Sequence, residues 1–274
     1  MVELREARKI AARTGLGLQY VLKEYKVFDI WSRISPLLLS NDITSQVYAI
    51  CKGGTALNKI FFKGVQRFSE DLDYDAFFAG KQSTSSMIEF LRKNILSVLT
   101  DSYNVERPRM MRQVVRFPCK FTNEMGRPDQ VSCEFNLFTT QVGKELVATA
   151  KSDIINELKP VKVRVYSFDT LMAKKLKTFY ERAEGKDIYD LYYGLKQMRE
   201  KRLLIKALKA VLKAVLKAEQ ISYNDFKDGF KEKITDMESI RRVHASTNPY
   251  IPRKLRVNWQ KAAQSISRII LPKL

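Results

Sequence analysis

Histidine is almost absent from this chain: His244 is the only one among 274 residues. Cysteine is scarce too, with Cys51, Cys119 and Cys133 odd in number and far apart. No disulfide framework is expected, and a zinc site lacks the ligands to be built. Cytoplasm is the compartment this cysteine usage fits. No apolar run approaches the ~20 residues that span a bilayer, so no membrane partner is expected. The opening stretch MVELREARKIAARTG is charged throughout and does not read as a secretory leader.

Acid is scarce relative to base. Lys and Arg number 49 against 30 Asp and Glu, a net charge of +19. Such a field attracts polyanions such as RNA, DNA and nucleotides, or serves solubility alone. Apolar residues make up 45% of the chain, enough for a buried core and too many for wholesale disorder. The length allows one large domain or two modest ones.

Apolar residues in LREARKIAAR and LQYVLKEYKVFDIWSRI recur at three- and four-residue steps, which predicts two N-terminal helices. QVYAICK reads as a strand stopped by Gly53 and Gly54, with Thr55 placed to cap a helix over ALNKIFF. DLDYDAFF alternates and reads as a strand, followed by a helix in SSMIEFLRKNILSVLT. RQVVRFPCKF and DQVSCEFNLF flank the turn TNEMGRPD, and VKVRVYS is one more strand. From about residue 168 the pattern is helical. The fold class predicted is α+β and bilobed. Residues 1–166 form an α/β lobe with N-terminal helices and a mixed sheet, and residues 167–274 a helical lobe that completes the active site and contacts RNA. No linker marks the boundary, so one continuous unit fits equally well. In LIKALKAVLKAVLKAEQ, Lys206, Lys209, Lys213 and Lys217 line one face of an amphipathic helix, expected to be a solvated outer face.

Against this basic background, Glu70, Asp71, Asp73 and Asp75 crowd into six residues of RFSEDLDYD. On a strand Asp71, Asp73 and Asp75 share one face, with Leu72 and Tyr74 on the other. Like charges so close repel, and a cation relieves them. Carboxylate oxygens suit Mg²⁺, which takes one or two such ligands together with substrate phosphates. Two carboxylates spaced i, i+2 can hold metal against a triphosphate and an attacking hydroxyl, the arrangement of in-line phosphoryl transfer. The Gly53-Gly54-Thr55 turn lets backbone N–H groups approach phosphate. Arg67 lies four residues before Asp71, in reach of phosphate charge. Taken singly, a Gly-Gly turn is usually only a turn and an acidic strand a solvated edge.

GGTAL followed by RFSEDLDYD resembles the signature of nucleotidyltransferases with a DNA polymerase β-like core, and more narrowly the AbiEii/AbiGii toxin family. Its Gly-Gly turn matches Gly53-Gly54 and its Asp-x-Asp strand matches Asp71-x-Asp73. A second block, SFDTLMAKKLKTFYERAEGKDIYDLYYGL, is similar to the family's later motifs. Lys175 matches the motif lysine and Asp190 its last acid, while Lys186-Asp187 stands where the family has Arg-Asp. That change keeps the charge and loses the bidentate geometry.

The resemblance implies a Mg²⁺-dependent toxin that transfers NMP from an NTP to an RNA acceptor, the tRNA 3′ end, and is countered by a cognate antitoxin. Asp71 and Asp73 would bind metal, with Glu134 as a third carboxylate or a merely solvated acid. Gly53, Gly54 and Thr55 would hold the triphosphate. Ser69 would contact nucleotide, accept an inhibitory phosphate or serve the turn. Lys175 and Arg182 would reach NTP phosphates; on the plainer alternative Lys174, Lys175 and Lys177 are ordinary surface charges. Asp190 orients Lys175 or acts as a base, and Asp187 reads as a helix cap near Gly185. The rival functions are transfer to a protein or small-molecule acceptor, and a catalytically silent nucleic-acid-binding module. The RPRMMRQVVR run and the basic C-terminal helices are the surfaces proposed for RNA.

Overall fold

The computed structural model describes residues 3–40, 43, 46–78, 83–111, 113–137, 141–200 and 204–274; the side chains at 199, 200, 204–207, 237, 239, 241, 244 and 245 are not included. Arg112 in the basic run, Phe138 at the end of a predicted strand and the Lys206 side chain therefore lie outside the described residues.

Two helices open the chain, α1 (Leu4–Thr14) and α2 (Leu18–Leu39). They lead into β1 (Val47–Lys52), a short helix α3 (Gly53–Ala56) that widens into a π turn over Leu57–Phe61, and β2 (Leu72–Phe78). Then come α4 (Thr84–Leu99), β3 (Asn104–Val105), β4 (Arg109–Met111), β5 (Val114–Thr122), β6 (Pro128–Leu137), β7 (Glu145–Ala150) and β8 (Val161–Tyr166). Helices make up the rest: α5 (Phe168–Arg182), α6 (Gly185–Glu200), α7 (Leu204–Ala218), α8 (Tyr223–Thr235), α9 (Met237–Thr247) and α10 (Trp259–Ile270).

The strands form one mixed sheet in the order β3-β5-β6-β2-β1-β8-β7, with β4 pairing β5 as well. β1 and β2 run antiparallel, while β2 pairs parallel with β6 and β1 parallel with β8. The acidic strand β2 is therefore central, flanked on both sides. A central strand alternates between a core face and a functional face. Leu72 and Tyr74 are buried on one, with Tyr74 stacked on Phe135 of β6 at 5.0 Å. Asp71 and Asp73 stay half-buried on the other.

Two local expectations are corrected. Thr55 does not cap a helix: Gly53 adopts φ +78°, so the helix starts there and Thr55 is buried inside its first turn. The strand β7, at the sheet edge and only six residues long, was not predicted at all.

One continuous apolar core runs from Val27 to Ile270, so the strands and the C-terminal helices share it. Phe179 of α5 meets Phe230 of α8 edge-on at 5.2 Å within that core. α2 is tied to β8 by Ser35 Oγ donating to the Lys162 carbonyl at 2.6 Å. On α7, Leu208, Leu212 and Val215 are buried while Lys209, Lys213 and Lys217 face solvent. The three cysteines are buried and unbridged.

Candidate active site

The β1–β2 pairing sets Lys52 opposite Asp73, and the chain then turns sharply at Gly53. The turn needs glycine twice over. Its φ of +78° lies in the left-handed region, and a Cβ there would overlap the Asp73 carboxylate. At Gly54 a Cβ would sit 2.6 Å from Arg67 Nη2 and 3.1 Å from Ser69 Oγ. Thr55 Oγ1 donates to the Asp71 carbonyl at 2.5 Å, which pins the start of β2 against the turn. The glycine bend and the paired aspartates are thus packed on one another.

Three acids on this strand have different surroundings. Asp75 is 1% exposed and fully engaged: Lys52 Nζ lies 2.5 Å away, Lys174 Nζ 2.9 Å, and the Tyr166 hydroxyl donates at 2.8 Å. Burial alone would raise its pKa, but the two lysines hold it below the usual carboxylate range. Asp71 and Asp73, by contrast, have no hydrogen bond or ion pair to their carboxylates among the described residues. Burial, then the charges of Asp73, Glu70 and Glu134, push Asp71 up to about 7. Burial raises Asp73 too, although Lys52, Lys175 and Arg182 act against it.

This is the donor set a hard divalent cation fits: two neighbouring carboxylates with no ion pair among the described residues, of which Asp73 lines a cleft. Among the described residues no three acidic, cysteine or histidine side chains converge as a ready-made metal cage. Glu134 stands opposite Asp73 in register, but Arg116 Nη2 holds its Oε1 at 2.7 Å.

Beneath the bend lies a buried network of alternating charge. Asp190 accepts from Arg67 Nε at 2.9 Å, Arg67 Nη2 at 2.6 Å and Asn58 Nδ2 at 3.0 Å, and pairs with Lys175 Nζ at 3.1 Å. Lys175 also meets Asp187 at 3.1 Å, and Asp187 accepts two hydrogen bonds from Arg182 at 3.0 and 3.1 Å. Burial would depress the Lys175 pKa, yet Asp190 and Asp187 more than offset it and keep the ammonium charged. Burial opposes ionisation of Asp187 as well, but Lys175 and Arg182 bring it down to about 2. Asn58 joins network to turn, since its Nδ2 also donates to the Gly54 carbonyl at 2.9 Å.

The cleft above has a volume of about 210 Å³ and is lined by Lys52, Gly53, Gly54, Asp73, Asn136, Leu171, Lys174, Lys175, Lys177, Thr178, Arg182 and Glu219. Five cations face two acids there. Such a surface suits a polyanion, and the glycine bend offers backbone N–H groups to it.

Gly53, Gly54, Asp73, Lys175 and Arg182 therefore meet at one cleft, with Asp71 beside Asp73. Arg67 does not reach it. Its guanidinium is 2% exposed and committed to Asp190 and, through Nη1 at 2.8 Å, to the Phe68 carbonyl. The Thr55 hydroxyl is likewise occupied by Asp71. Ser69 is half-buried over Gly54. Asp187, read as a helix cap, is a buried partner of two cations. Lys186 sits apart, 4.1 Å from the Tyr250 ring centroid and 3.7 Å from Glu70. Sequence reasoning passed over Lys52 and Asn136 and weighed Lys174 and Lys177 only as surface charges, whereas all four line the cleft. The signal for Lys52 was its place next to Gly53, directly across from the Asp-x-Asp strand.

The sequence profile of the family described as nucleotidyl transferase AbiEii toxin, type IV toxin–antitoxin system, matches residues 41–268. A mixed sheet with a helical complement and a paired-aspartate cleft is the architecture of a nucleotidyltransferase. The chain belongs to the AbiEii nucleotidyltransferase toxin family of type IV toxin–antitoxin systems. Among solved structures, MenT4, a nucleotidyltransferase toxin from Mycobacterium tuberculosis, superposes with a TM-score of 0.66 at 15% identity, covering 100% of this chain and 91% of that one. That likeness shows a shared fold. An antigenic nucleotidyltransferase-like protein from Paracoccidioides brasiliensis is 17% identical over 68% of this chain and 93% of its own, at a TM-score of 0.37, too low to carry an argument. No curated protein matches the chain by sequence. Among the described residues, no helix is long and apolar enough to cross a membrane.

Proposed function

We propose that this nucleotidyltransferase is Mg²⁺-dependent and transfers NMP from an NTP to an RNA acceptor, the tRNA 3′ end, under control of a cognate antitoxin. One observation carries the reading. Of the acids on the central strand, Asp75 is neutralised by two lysines, whereas the Asp71 and Asp73 carboxylates form no ion pair among the described residues and stand beside a glycine bend and a cationic cleft.

In the reaction, the acceptor hydroxyl oxygen bonds to the α-phosphorus as its O–H bond breaks and the proton passes to solvent, the α–β phosphoanhydride breaks, and pyrophosphate leaves with the electron pair. Asp71 and Asp73 would hold the metal. The chemistry a magnesium ion supplies at such a pair is neutralisation of phosphate charge and activation of the attacking hydroxyl. Gly53 and Gly54 bring backbone close to the triphosphate. Lys52, Lys174, Lys177 and Arg182 face the growing charge on the pyrophosphate. Lys175, held by Asp187 and Asp190, sets a fixed positive charge under that site. Asp190 acts as a positioning residue: it is 0% exposed and already accepts from Arg67, Asn58 and Lys175, which leaves no path for a substrate proton. The +19 charge supports an RNA acceptor, because backbone phosphates dominate such affinity.

The test is incubation with each labelled NTP, Mg²⁺ and total tRNA, before and after periodate oxidation of the RNA 3′ ends. Label in intact tRNA and none in oxidised tRNA is the expected result. Label confined to protein, or undiminished after oxidation, overturns the acceptor assignment.

A further inference from the structure

The strand registers place five residues in one line across the sheet. Arg109 of β4 pairs with Arg116 of β5, Arg116 with Glu134 of β6, Glu134 with Asp73 of β2, and Asp73 with Lys52 of β1. Residues opposite one another in register share a face, and the 2.7 Å contact of Arg116 with Glu134 shows that these two do. The face that carries Asp73 thus continues outward, away from the cleft, as two arginines.

The fold leaves Arg109 largely uncommitted and Arg116 partly so. The Arg116 side chain is 37% exposed with Nη2 on Glu134 at 2.7 Å, and its Nε is buried without a hydrogen-bond partner. Arg109 is 70% exposed and makes one loose contact with Glu106 at 3.5 Å; Glu106 is also paired with Lys120. Met111, two residues on from Arg109 and on the same face, is 52% exposed. An exposed methionine beside exposed arginines at a sheet edge offers an apolar surface for a base and charges for a backbone.

The geometry sorts two anionic substrates to opposite sides of the aspartates. On one side lie the glycine bend and the cleft with Lys52, Lys174 and Arg182. On the other lies the arginine line. At ~4.8 Å per strand step, Arg109 is about 14 Å from Asp73, the length of about four stacked nucleotides at ~3.4 Å each. We infer that the β4–β5 edge is the acceptor track: Arg109 and Arg116 bind phosphates of the RNA strand leading to the reactive end, and Met111 supports a base. The inference rests on the proposed RNA acceptor and adds where that acceptor lies.

The decisive experiment measures binding and transfer separately. Fluorescence anisotropy with a labelled single-stranded RNA oligonucleotide is recorded as a function of salt for the wild type, Arg109→Gln, Arg116→Gln and the double variant. Each single Gln variant is expected to weaken binding about tenfold and to lower the slope of log affinity against log salt by about 0.7. Arg109→Lys is expected to retain most of the affinity, since a phosphate contact needs charge. In transfer assays Arg109→Gln is expected to raise the KM for RNA about tenfold and to leave the KM for NTP within about twofold. Unchanged RNA affinity and salt slope in the double variant overturn the track, whatever transfer shows. RNA binding that falls in the variants while the wild type labels no RNA would sink the proposed reaction and leave the track standing.

Discussion

Arg67 clasps Asp190 through two parallel hydrogen bonds of 2.9 and 2.6 Å, across 123 residues of sequence and with both groups out of contact with water. The pair joins the segment after the glycine bend to the last motif of the chain. Removing one partner leaves a buried charge unmatched. Arg67→Ala is expected to cost about 3–5 kcal/mol, and Arg67→Lys to recover little of it, because an ammonium cannot span both carboxylate oxygens. Urea unfolding midpoints measure this; a loss under ~1 kcal/mol would mean the clasp is not a structural tie.

Gly53 tests the bend. Any side chain there strains a φ of +78° and displaces the Asp73 carboxylate. Gly53→Ala is expected to cost about 1–2 kcal/mol of stability, yet to lower transfer by about a hundredfold or more. Activity that falls only in proportion to folded protein would show that the bend does not place Asp73.

The buried acids predict an acid limb in the stability profile. Asp187 is brought to about 2 in the folded protein, below its value of 3.8 in the unfolded chain. Its contribution is therefore complete above about pH 4 and is lost as pH falls toward 2, about 2 kcal/mol in all. Asp75 and Asp190 are lowered as well and act in the same sense. Thermal melts between pH 6 and pH 2.5 should show a shallower acid decline for Asp187→Asn than for the wild type, starting from a lower melting temperature at neutral pH. Parallel profiles for the two proteins would refute the assignment.

How far the sequence could be read depended on range. Alternation along β2, with Leu72 and Tyr74 inward, and the Gly53-Gly54 punctuation are local, so the paired aspartates and their bend were legible. The meeting of Arg67 with Asp190 depends on α6 packing beneath the bend. A periodicity argument has no access to that, and Arg67 was sent to the phosphates instead. Lys52, Lys174 and Lys177 were lost among 49 basic residues, since only the β1–β2 register and the seating of α5 turn them toward the cleft. Thr55 was misread as a cap because the left-handed Gly53 starts the helix two residues earlier. The edge strand β7 escaped because its six residues ELVATA barely alternate and bury only Ala150 well.

On the proposed function, Asp73 acts in chemistry and not in holding the fold together. Transfer of labelled NMP by Asp73→Ala, with far-UV circular dichroism and thermal unfolding of the same preparation, tests it most directly. A loss of about a thousandfold in transfer is expected, with a melting temperature equal to or above that of the wild type, because a carboxylate whose ionisation burial opposes has been removed. Transfer within about tenfold of the wild type would contradict it.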